Sequence, residues 1–321
     1  MVEYLDIIRT ILISFIITII LGPIIIPLLK RHKIGQNVRD DGPKTHLAKS
    51  GTPTMGGIIM LIALLITTVT SGMLNRDMYI LLISTFGFGL IGFIDDYLKV
   101  VNQSSLGLKP YQKLIGQIIL AIILAIYQSQ ISMLGTKVIV PFLNNRYLDL
   151  GVLYVPFIAF VVVGTVNSVN LTDGLDGLAS GVTLIVLSFF GLIALNWGMG
   201  SISIFSAALT GACLGFLIYN AYPAKVFMGD TGSMALGGAV AAIAILLNLP
   251  LMIPIVGGIY FVEALSVIIQ VISYKLTGKR IFLMSPLHHH FEQKGWDETR
   301  IVVVFWSITV ILCLIGVISL N

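Results

Sequence analysis

An apolar run at 160–177, FVVVGTVNSVNLTDGLDG, ends in four polar residues, each three after the last: Asn167, Asn170, Asp173 and Asp176. In a continuous helix, steps of three residues turn about 300° each, so these side chains would not form one stripe. Gly174 and Gly177 predict instead that the helix unwinds and turns Asp173 and Asp176 into a shared cavity. The simpler interpretation, an N-cap on the next helix, accounts for only one of the four.

Two adjacent carboxylates occur in FIDDYLK, where Asp95 and Asp96 end another apolar run. Acidic side chains at a helix C-terminus oppose the helix dipole, at about 0.3–1 kcal/mol each, so stability does not explain them. Lys99 follows Asp95 by four residues. This arrangement favours a site that handles a cation and a phosphate together over a solvated helix end.

A third acidic position lies in MGDTGS, where Asp230 precedes three small residues at the start of a further run. Asp-Thr-Gly-Ser also occurs in aspartic proteases, but those enzymes bring two such loops together, and this chain has one. An N-cap role for Asp230 is the other alternative, and it does not exclude metal binding.

Three consecutive histidines, His288 to His290, occur in PLHHHFE. Consecutive side chains do not easily close on one tetrahedral zinc ion, and no cysteine is near. Anion or phosphate contacts are favoured over a solvated loop by three basic neighbours: Lys279, Arg280 and Lys294. Glu263 lies deep in an apolar run, which indicates either a functional acid or a local hydrogen-bonded polar pair.

Carboxylates beside Lys and His side chains indicate an oxygen-preferring cation such as Mg²⁺, which takes one or two carboxylates together with substrate phosphates. The reaction class is then phosphoryl transfer. At a membrane boundary, such a site takes one soluble and one lipid substrate. A secondary transporter is the alternative from another class, but transporter sites lie near the bilayer midplane and these clusters lie at the ends of apolar runs.

The elements that position these residues are membrane spans. The 321 residues are 57% hydrophobic and 11% charged, with a mean hydropathy of +0.99, which is typical of an integral membrane protein. A span needs about 20 apolar residues. We predict an all-α polytopic membrane protein, a single domain over 1–321, with ten spans at roughly 5–29, 56–72, 78–98, 113–132, 151–169, 177–197, 201–219, 233–248, 251–274 and 301–320. The first run is longer than a signal-peptide core, so we expect a retained span.

Basic residues predict the orientation, because Lys and Arg accumulate in cytoplasmic loops. One set of alternate loops holds 15 of the 19; the other four are Arg9, Arg76, Lys137 and Arg146. Both termini are therefore expected outside, and all five histidines fall on the cytoplasmic side. The stretch 135–150 predicts a small outward β-hairpin. Cys213 and Cys313 lie inside apolar runs and indicate neither a disulfide nor a metal site.

Longer motifs carry a family resemblance. DDxxK at 95–99, NxxNxxDGLDG at 167–177 and NxxPAxxFMGDTGS at 220–233 resemble the superfamily of polyprenyl-phosphate sugar-1-phosphate transferases. GTPTMGG at 51–57 and PLHHHFE at 286–292 are similar to its phospho-N-acetylmuramoyl-pentapeptide transferase family rather than to its N-acetylglucosamine-1-phosphate members. The resemblance covers essentially the whole chain.

The resemblance implies an activity: transfer of phospho-MurNAc-pentapeptide from UDP-MurNAc-pentapeptide to undecaprenyl phosphate, which gives lipid I and UMP with Mg²⁺ as cofactor. The implied setting is the bacterial cytoplasmic membrane, with membrane lipid around a homodimer, no nucleic acid, and the active site facing the cytoplasm. Transfer from UDP-N-acetylglucosamine is the alternative within the superfamily.

The resemblance also implies residue roles. Asp230 resembles the metal ligand of the family. The residues that resemble its catalytic set are Asp95, Asp96 and Asp173. The uridine pocket is expected from Lys49, Thr54, Gly174, Leu175, Asp176, Asn220 and Phe227. The remaining substrate contacts, to the diphosphate or the sugar, are expected from Lys99, Lys113, Asn167, Asn170, His288, His289 and His290.

The chemistry of the acceptor bears on the mechanism. A phosphate monoester has a second pKa near ~6, so a polyprenyl phosphate is mostly dianionic at neutral pH and needs no strong general base. We therefore expect direct attack on the β-phosphate of the donor, with Asp95 orienting the acceptor or taking a residual proton. A phospho-Asp intermediate is the runner-up. Because one diphosphate linkage replaces another, the reaction is expected to be readily reversible.

Overall fold

The computed structural model describes residues 2–31, 51–102, 104, 107–143 and 146–320. The helices in these ranges are α1 (Tyr4–Arg31), α2 (Gly57–Thr70), α3 (Arg76–Val101), α4 (Pro110–Ile131), α5 (Tyr154–Thr172), α6 (Leu178–Asn196), α7 (Gly200–Asn220), α8 (Gly229–Leu246), α9 (Ile253–Val256), α10 (Gly258–Thr277), α11 (Leu287–Gln293) and α12 (Glu298–Ile318). Two short strands, β1 (Lys137–Ile139) and β2 (Tyr147–Asp149), pair antiparallel.

Nine of the ten predicted spans each coincide with one helix. Within the described ranges, nine helices are long and apolar enough to cross a membrane, while α2 has 14 residues. The expectation of an all-α polytopic membrane protein is therefore confirmed.

The ninth predicted span, 251–274, is not one continuous helix. It is divided into a 3₁₀ turn at Pro250–Met252, the single turn of α9, and α10. Pro250 and Pro254 each lie in a first turn, where a missing N–H is tolerated. The pair Gly257 and Gly258 follows, and glycine weakens a helix interior. Hydropathy alone does not reveal this interruption, because every fragment is apolar.

Helices α7 and α8 form the centre of the bundle and are buried along nearly their whole length. Small residues make this possible, because they let helix backbones approach closely. A Cβ added at Gly92 on α3 would overlap the carbonyl oxygen of Asp230, and one at Gly57 on α2 would overlap the backbone of Gly232. The first turn of α8 is therefore held tightly between α2 and α3.

The β-hairpin lies at the other end of α8. The N–H of Ile139 donates to the carbonyl of Asn248, just past the end of α8, at 2.9 Å. The 18 residues of α8 span about 27 Å, so the hairpin and Asp230 are at opposite ends of the bundle. The predicted hairpin is confirmed as an element, and the Asn-Asn pair at 144–145 lies outside the described ranges. The side of the membrane on which it lies, and the outward termini, stay predictions.

Candidate active site

Asp96 on α3 caps the N-terminus of α8. Its Oδ2 accepts hydrogen bonds from the backbone N of Thr231 at 2.9 Å and from Thr231 Oγ1 at 2.7 Å, and its Oδ1 accepts from the N of Asp230 at 3.2 Å. The first N–H groups of a helix have no partner within it, and Met228, at the N-cap position, provides no side-chain cap. A buried carboxylate from another helix therefore satisfies two of them and fixes the position of Asp230.

Two lysines join Asp95 to Asp230. Lys99 Nζ lies 2.6 Å from Asp95 Oδ2 and 2.9 Å from Asp230 Oδ2. Lys113 Nζ, from α4, lies 3.2 Å and 2.7 Å from the same two oxygens. Two ammonium groups thus offset the charge of two carboxylates that would otherwise repel each other.

Asp95, Asp96 and Asp230 form what we call the carboxylate cluster. One oxygen from each lies within 4.8 Å of the others. Carboxylate oxygens are the donors that Mg²⁺ takes in proteins, usually one or two of them with substrate phosphates. The cluster therefore fits such an ion by its donor chemistry. The Oδ2 atoms of Asp95 and Asp230 suit it best, because their partners are lysine side chains, whereas Asp96 is held by the backbone and hydroxyl groups of α8.

The two asparagines of α5 have different partners. Asn170 Nδ2 donates to Asp230 Oδ1 and to Ser233 Oγ, both at 2.8 Å. Asn167, one turn earlier, donates instead to Gln117 Oε1 on α4 at 2.7 Å and to the carbonyl of Val163 at 2.8 Å. Asn170 is thus joined directly to the carboxylate cluster, whereas Asn167 belongs to a neighbouring amide pair between α4 and α5.

Helix α5 ends at Thr172 and α6 begins at Leu178, as the two glycines predict. The N-cap position of α6 is Gly177 with φ +80°, so neither aspartate caps that helix. Asp173 lies half-buried at the turn. Burial, together with the negative charges of Asp230, Asp96 and Asp176, raises the pKa of Asp173 well above its usual range. Asp173 follows Asn170, whose side chain donates to Asp230, at the end of α5, so the turn adjoins the carboxylate cluster.

Asp176 connects the 173–177 turn to the segment 220–228. Its buried Oδ2 accepts from the N of Ala224 at 2.9 Å, and its own N–H donates to Glu298 Oε1 at 2.6 Å. Asn220 is buried in the same segment; its Oδ1 accepts from Ser180 Oγ at 3.0 Å and its Nδ2 donates to the carbonyl of Val226 at 3.1 Å. The two stretches form one hydrogen-bonded unit.

The loop before α2 joins this unit. The N–H of Phe227 donates to the carbonyl of Pro53, and the carbonyl of Phe227 accepts from the N–H of Gly56, both at 2.8 Å. Thr54 is buried, and its Oγ1 lies close to Gly229, where an added Cβ would be 2.8 Å away. Three of the stretches expected to form the uridine pocket therefore meet beside the carboxylate cluster. Lys49 lies outside the described residues.

The three histidines of α11 have different neighbours. His288 is fully buried, with Nδ1 3.2 Å from Glu263 Oε1, and a Cβ at Gly174 would overlap its Nε2. His289 Nδ1 lies 2.6 Å from Glu292 Oε2, and His290 Nδ1 accepts from the N–H of Leu283 at 3.1 Å. Burial and the charge of Lys294 lower the pKa of His290. His288 is thus the member that adjoins the 173–177 turn.

The partner of Glu263 is His288, so Glu263 belongs to a buried polar pair. Its carboxylate accepts from the backbone N of His288 at 3.2 Å and lies beside the imidazole. The polar-pair interpretation of Glu263 is what the structure shows.

A model described as Glycosyl transferase family 4 matches residues 78–248, and a phospho-N-acetylmuramoyl-pentapeptide-transferase signature matches residues 49–61. Proteins of that transferase name in Alkaliphilus oremlandii and Alkaliphilus metalliredigens are each 62% identical to this chain, over 99% and 100% of both lengths respectively. The chain belongs to the phospho-N-acetylmuramoyl-pentapeptide-transferase family. A relative of the same name in Clostridioides difficile is 56% identical over 97% of this chain and 96% of its own length.

The two matched regions together contain most of the site. Residues 78–248 run from α3 to the end of α8 and include the carboxylate cluster, both lysines and the 173–177 turn. The signature at 49–61 includes Thr54 and the start of α2. The histidines of α11 and Glu298 on α12 lie beyond both matches.

Sequence reasoning missed several residues that the structure brings to the site. Thr231 and Ser233 belong to the MGDTGS motif, but the sequence does not show that they hydrogen-bond to Asp96 and Asn170, which are on other helices. Gln117 occurs in an apolar run with no motif around it. Glu298 had the ordinary explanation of an acid at the start of a helix, where it interacts favourably with the dipole.

Proposed function

We propose that the chain transfers phospho-MurNAc-pentapeptide from UDP-MurNAc-pentapeptide to undecaprenyl phosphate, with lipid I and UMP as products. The relatives that are 62% identical over the full length carry the name of this transferase. The observation that carries the proposal is the joining of Asp95 and Asp230 by Lys99 and Lys113, next to the 173–177 turn. This places anionic and cationic groups together for a substrate that is itself a diphosphate.

Mg²⁺ is the proposed cofactor, held by Asp230 with Asp95. When bound, the ion would offset the negative charge of the donor diphosphate. Asp96 contributes through α8, because its hydrogen bonds to Asp230 N and Thr231 hold the ligand in place.

In the proposed reaction an oxygen of the acceptor phosphate attacks the β-phosphorus of the donor. The bond from that phosphorus to the oxygen bridging to the α-phosphate breaks, and its electron pair leaves with UMP. Lys99 and Lys113 bind the anionic oxygens, which suits a reaction in which positioning and charge neutralisation do most of the work. Asp95 orients the acceptor or takes a residual proton.

Direct attack is favoured over a phospho-Asp intermediate by the contacts of Asp95. Its Oδ1 accepts from the N–H of Leu108 at 2.8 Å, and its Oδ2 contacts both ammonium groups. Both oxygens are therefore engaged, which suits a positioning role better than a nucleophile. Incubation with donor alone, followed by mass spectrometry of the intact chain, tests this point: a phosphorylated aspartate would exclude direct attack.

The proposed location is the bacterial cytoplasmic membrane, with the site on the cytoplasmic side. The distribution of 15 of the 19 basic residues supports this orientation. The site also lies at the end of α8 opposite the β-hairpin, which is the arrangement expected if the hairpin faces outward. A homodimer, and one domain over the whole chain, are part of the proposal.

The decisive experiment measures UMP release by the purified chain with undecaprenyl phosphate and either of two donors. UDP-MurNAc-pentapeptide should be used and UDP-N-acetylglucosamine should not. Equal use of both donors would contradict the assignment to the muramoyl-pentapeptide reaction. No release with either would contradict a transferase and return attention to transport.

Asp230→Asn tests the metal assignment. Loss of one carboxylate ligand should lower UMP release by about 10²–10³-fold at limiting Mg²⁺, the scale of losing one electrostatic group at a reacting centre. Asp149→Asn, the same change in the hairpin at the opposite end of the bundle, is the control and should keep full activity. Full activity of Asp230→Asn under these conditions would show that Asp230 is not a ligand.

A further inference from the structure

The 173–177 turn needs partners from outside its own helices. Within the turn, the N–H of Asp173 donates to the carbonyl of Asn170 at 3.3 Å and the N–H of Leu178 donates to that of Leu175 at 3.1 Å. The N–H of Asp176 donates instead to the carboxylate of Glu298, 122 residues further along the chain. The turn that adjoins the carboxylate cluster is thus held by the first turn of α12.

The contact is stronger than an acid at a helix start requires. Favourable interaction with the dipole is worth only about 0.3–1 kcal/mol and asks for no particular direction of the side chain. Glu298 Oε1 lies 2.6 Å from the N of Asp176, a short charge-assisted hydrogen bond. Its neighbour Asp297 is exposed and makes no side-chain cap. One acid of the pair therefore serves the turn, and the other has the ordinary surroundings of a helix end.

The start of α12 is itself fixed, so Glu298 holds the turn from a rigid support. The ring of Trp296 packs on Phe291 of α11 with centroids 4.9 Å apart, and the guanidinium of Arg300 lies 4.3 Å from the centre of the Trp296 ring. About two turns along α12 from Glu298, Trp306 lies against Gly181, where an added Cβ would overlap its ring. Helix α12 thus contacts both the turn and the start of α6.

Asp176 also connects Glu298 to the segment 220–228. While Glu298 fixes the main chain of Asp176, the Asp176 side chain accepts from the N–H of Ala224 at 2.9 Å. Ala224 lies between Asn220 and Phe227. Two hydrogen bonds in series therefore connect α12 to the stretch that runs into Asp230.

We propose that Glu298 is a positioning residue for the sugar-nucleotide donor: it holds the 173–177 turn and the 220–228 segment in the arrangement that binds the uridine. This inference rests on the proposed function, since it takes these stretches as the nucleotide pocket. A group that shapes the pocket without touching the reacting atoms changes binding of donor and transition state equally, so it changes the donor KM and leaves kcat alone.

The test uses the purified full-length chain, with KM measured for each substrate in turn. Glu298→Ala removes the acceptor and should raise the KM for UDP-MurNAc-pentapeptide on the order of 10-fold, with kcat and the KM for undecaprenyl phosphate within about 2-fold. Glu298→Gln keeps an oxygen acceptor and should give a smaller rise, about 3-fold. Glu298→Asp keeps the charge but withdraws the oxygen by one methylene, so it should resemble Ala, and it decides the matter if Ala does not fold.

Asp297→Ala is the matched control, because it removes one negative charge from the same helix start and should leave all constants unchanged. An unchanged donor KM in Glu298→Ala, an equal rise for both substrates, or a fall in kcat alone would overturn the positioning role. If the unsubstituted chain releases no UMP, the proposed function fails and the positioning role fails with it. An active unsubstituted chain with an unaffected Glu298→Ala variant would overturn the positioning role alone.

Discussion

Thr231→Val tests whether Asp96 acts through the first turn of α8. The substitution nearly conserves shape and removes only the hydroxyl whose Oγ1 lies 2.7 Å from Asp96 Oδ2. Both backbone N–H groups that Asp96 accepts, at 2.9 Å and 3.2 Å, remain available. The variant therefore isolates one of three hydrogen bonds on a buried carboxylate.

The expected cost follows from the charge of the acceptor. A hydrogen bond to a charged group contributes about 1.5–3 kcal/mol, and the lower end applies because Asp96 keeps two partners. Asp96→Asn should cost more, about 2–4 kcal/mol: its amide NH₂ would face a backbone N–H, and the favourable charge at the start of α8 would be lost. Thr231→Ser keeps the hydroxyl and should stay within about 0.5 kcal/mol of the unsubstituted chain.

The assay is the free energy of unfolding in mild detergent, measured by titration with sodium dodecyl sulfate, with UMP release followed in parallel. We expect the order unsubstituted chain, Thr231→Ser, Thr231→Val, Asp96→Asn, from most to least stable. Equal stability of Thr231→Val and Thr231→Ser would refute the reasoning, because the hydroxyl would then contribute nothing to the contact between Asp96 and α8.

Two further predictions concern the 173–177 turn. Gly174→Ala places a Cβ onto His288 Nε2 and should lower UMP release by roughly 10-fold or more, since overpacking displaces the backbone. The control is Gly164→Ala on α5, where a Cβ would meet nothing within 4 Å. Equal activity of the two variants would show that the contact between Gly174 and His288 does not matter. Asp173 has a pKa raised above its ordinary 3.8, so the folded chain binds that proton more tightly than the unfolded chain and loses stability as pH rises from about 4. Asp173→Asn should therefore raise the thermal midpoint at about pH 7.5 but not at about pH 3.5, while lowering activity; a gain of the same size at both pH values would contradict the raised pKa.

Much of the fold was predictable because a bilayer imposes a length and a polarity on each helix. The same hydropathy did not predict the interruption before α10, since α9 and its flanks are apolar throughout. Hydropathy also could not predict that Asn167 and Asn170, which belong to one motif with a three-residue spacing, have different partners. The rotation of α5 against α8 decides that Asn170 contacts Asp230 while Asn167 contacts Gln117. Spacing along the chain predicts which groups can gather, whereas contacts between helices decide which ones do.

The roles of single acids were harder still to predict. Asp95 and Asp96 are adjacent and alike in sequence. In the structure, Asp95 contacts two lysines, whereas Asp96 accepts hydrogen bonds from the backbone of α8. Glu298 needed the arrangement of α12 beside the 173–177 turn, a pairing across 122 residues that no local pattern records. Partners of this kind depend on which helices are neighbours, and composition is silent on that.

The tight seating of α8 between Gly57 and Gly92 bears on how bacteria would escape an inhibitor of this site. A compound that binds the main chain and carboxylates of the first turn of α8 contacts a region where a larger side chain at Gly57 or Gly92 would displace α8. Resistance substitutions are therefore expected at exposed residues around the site, where a larger side chain can be accommodated. Compounds that contact only the first turn of α8 would allow the fewest such substitutions.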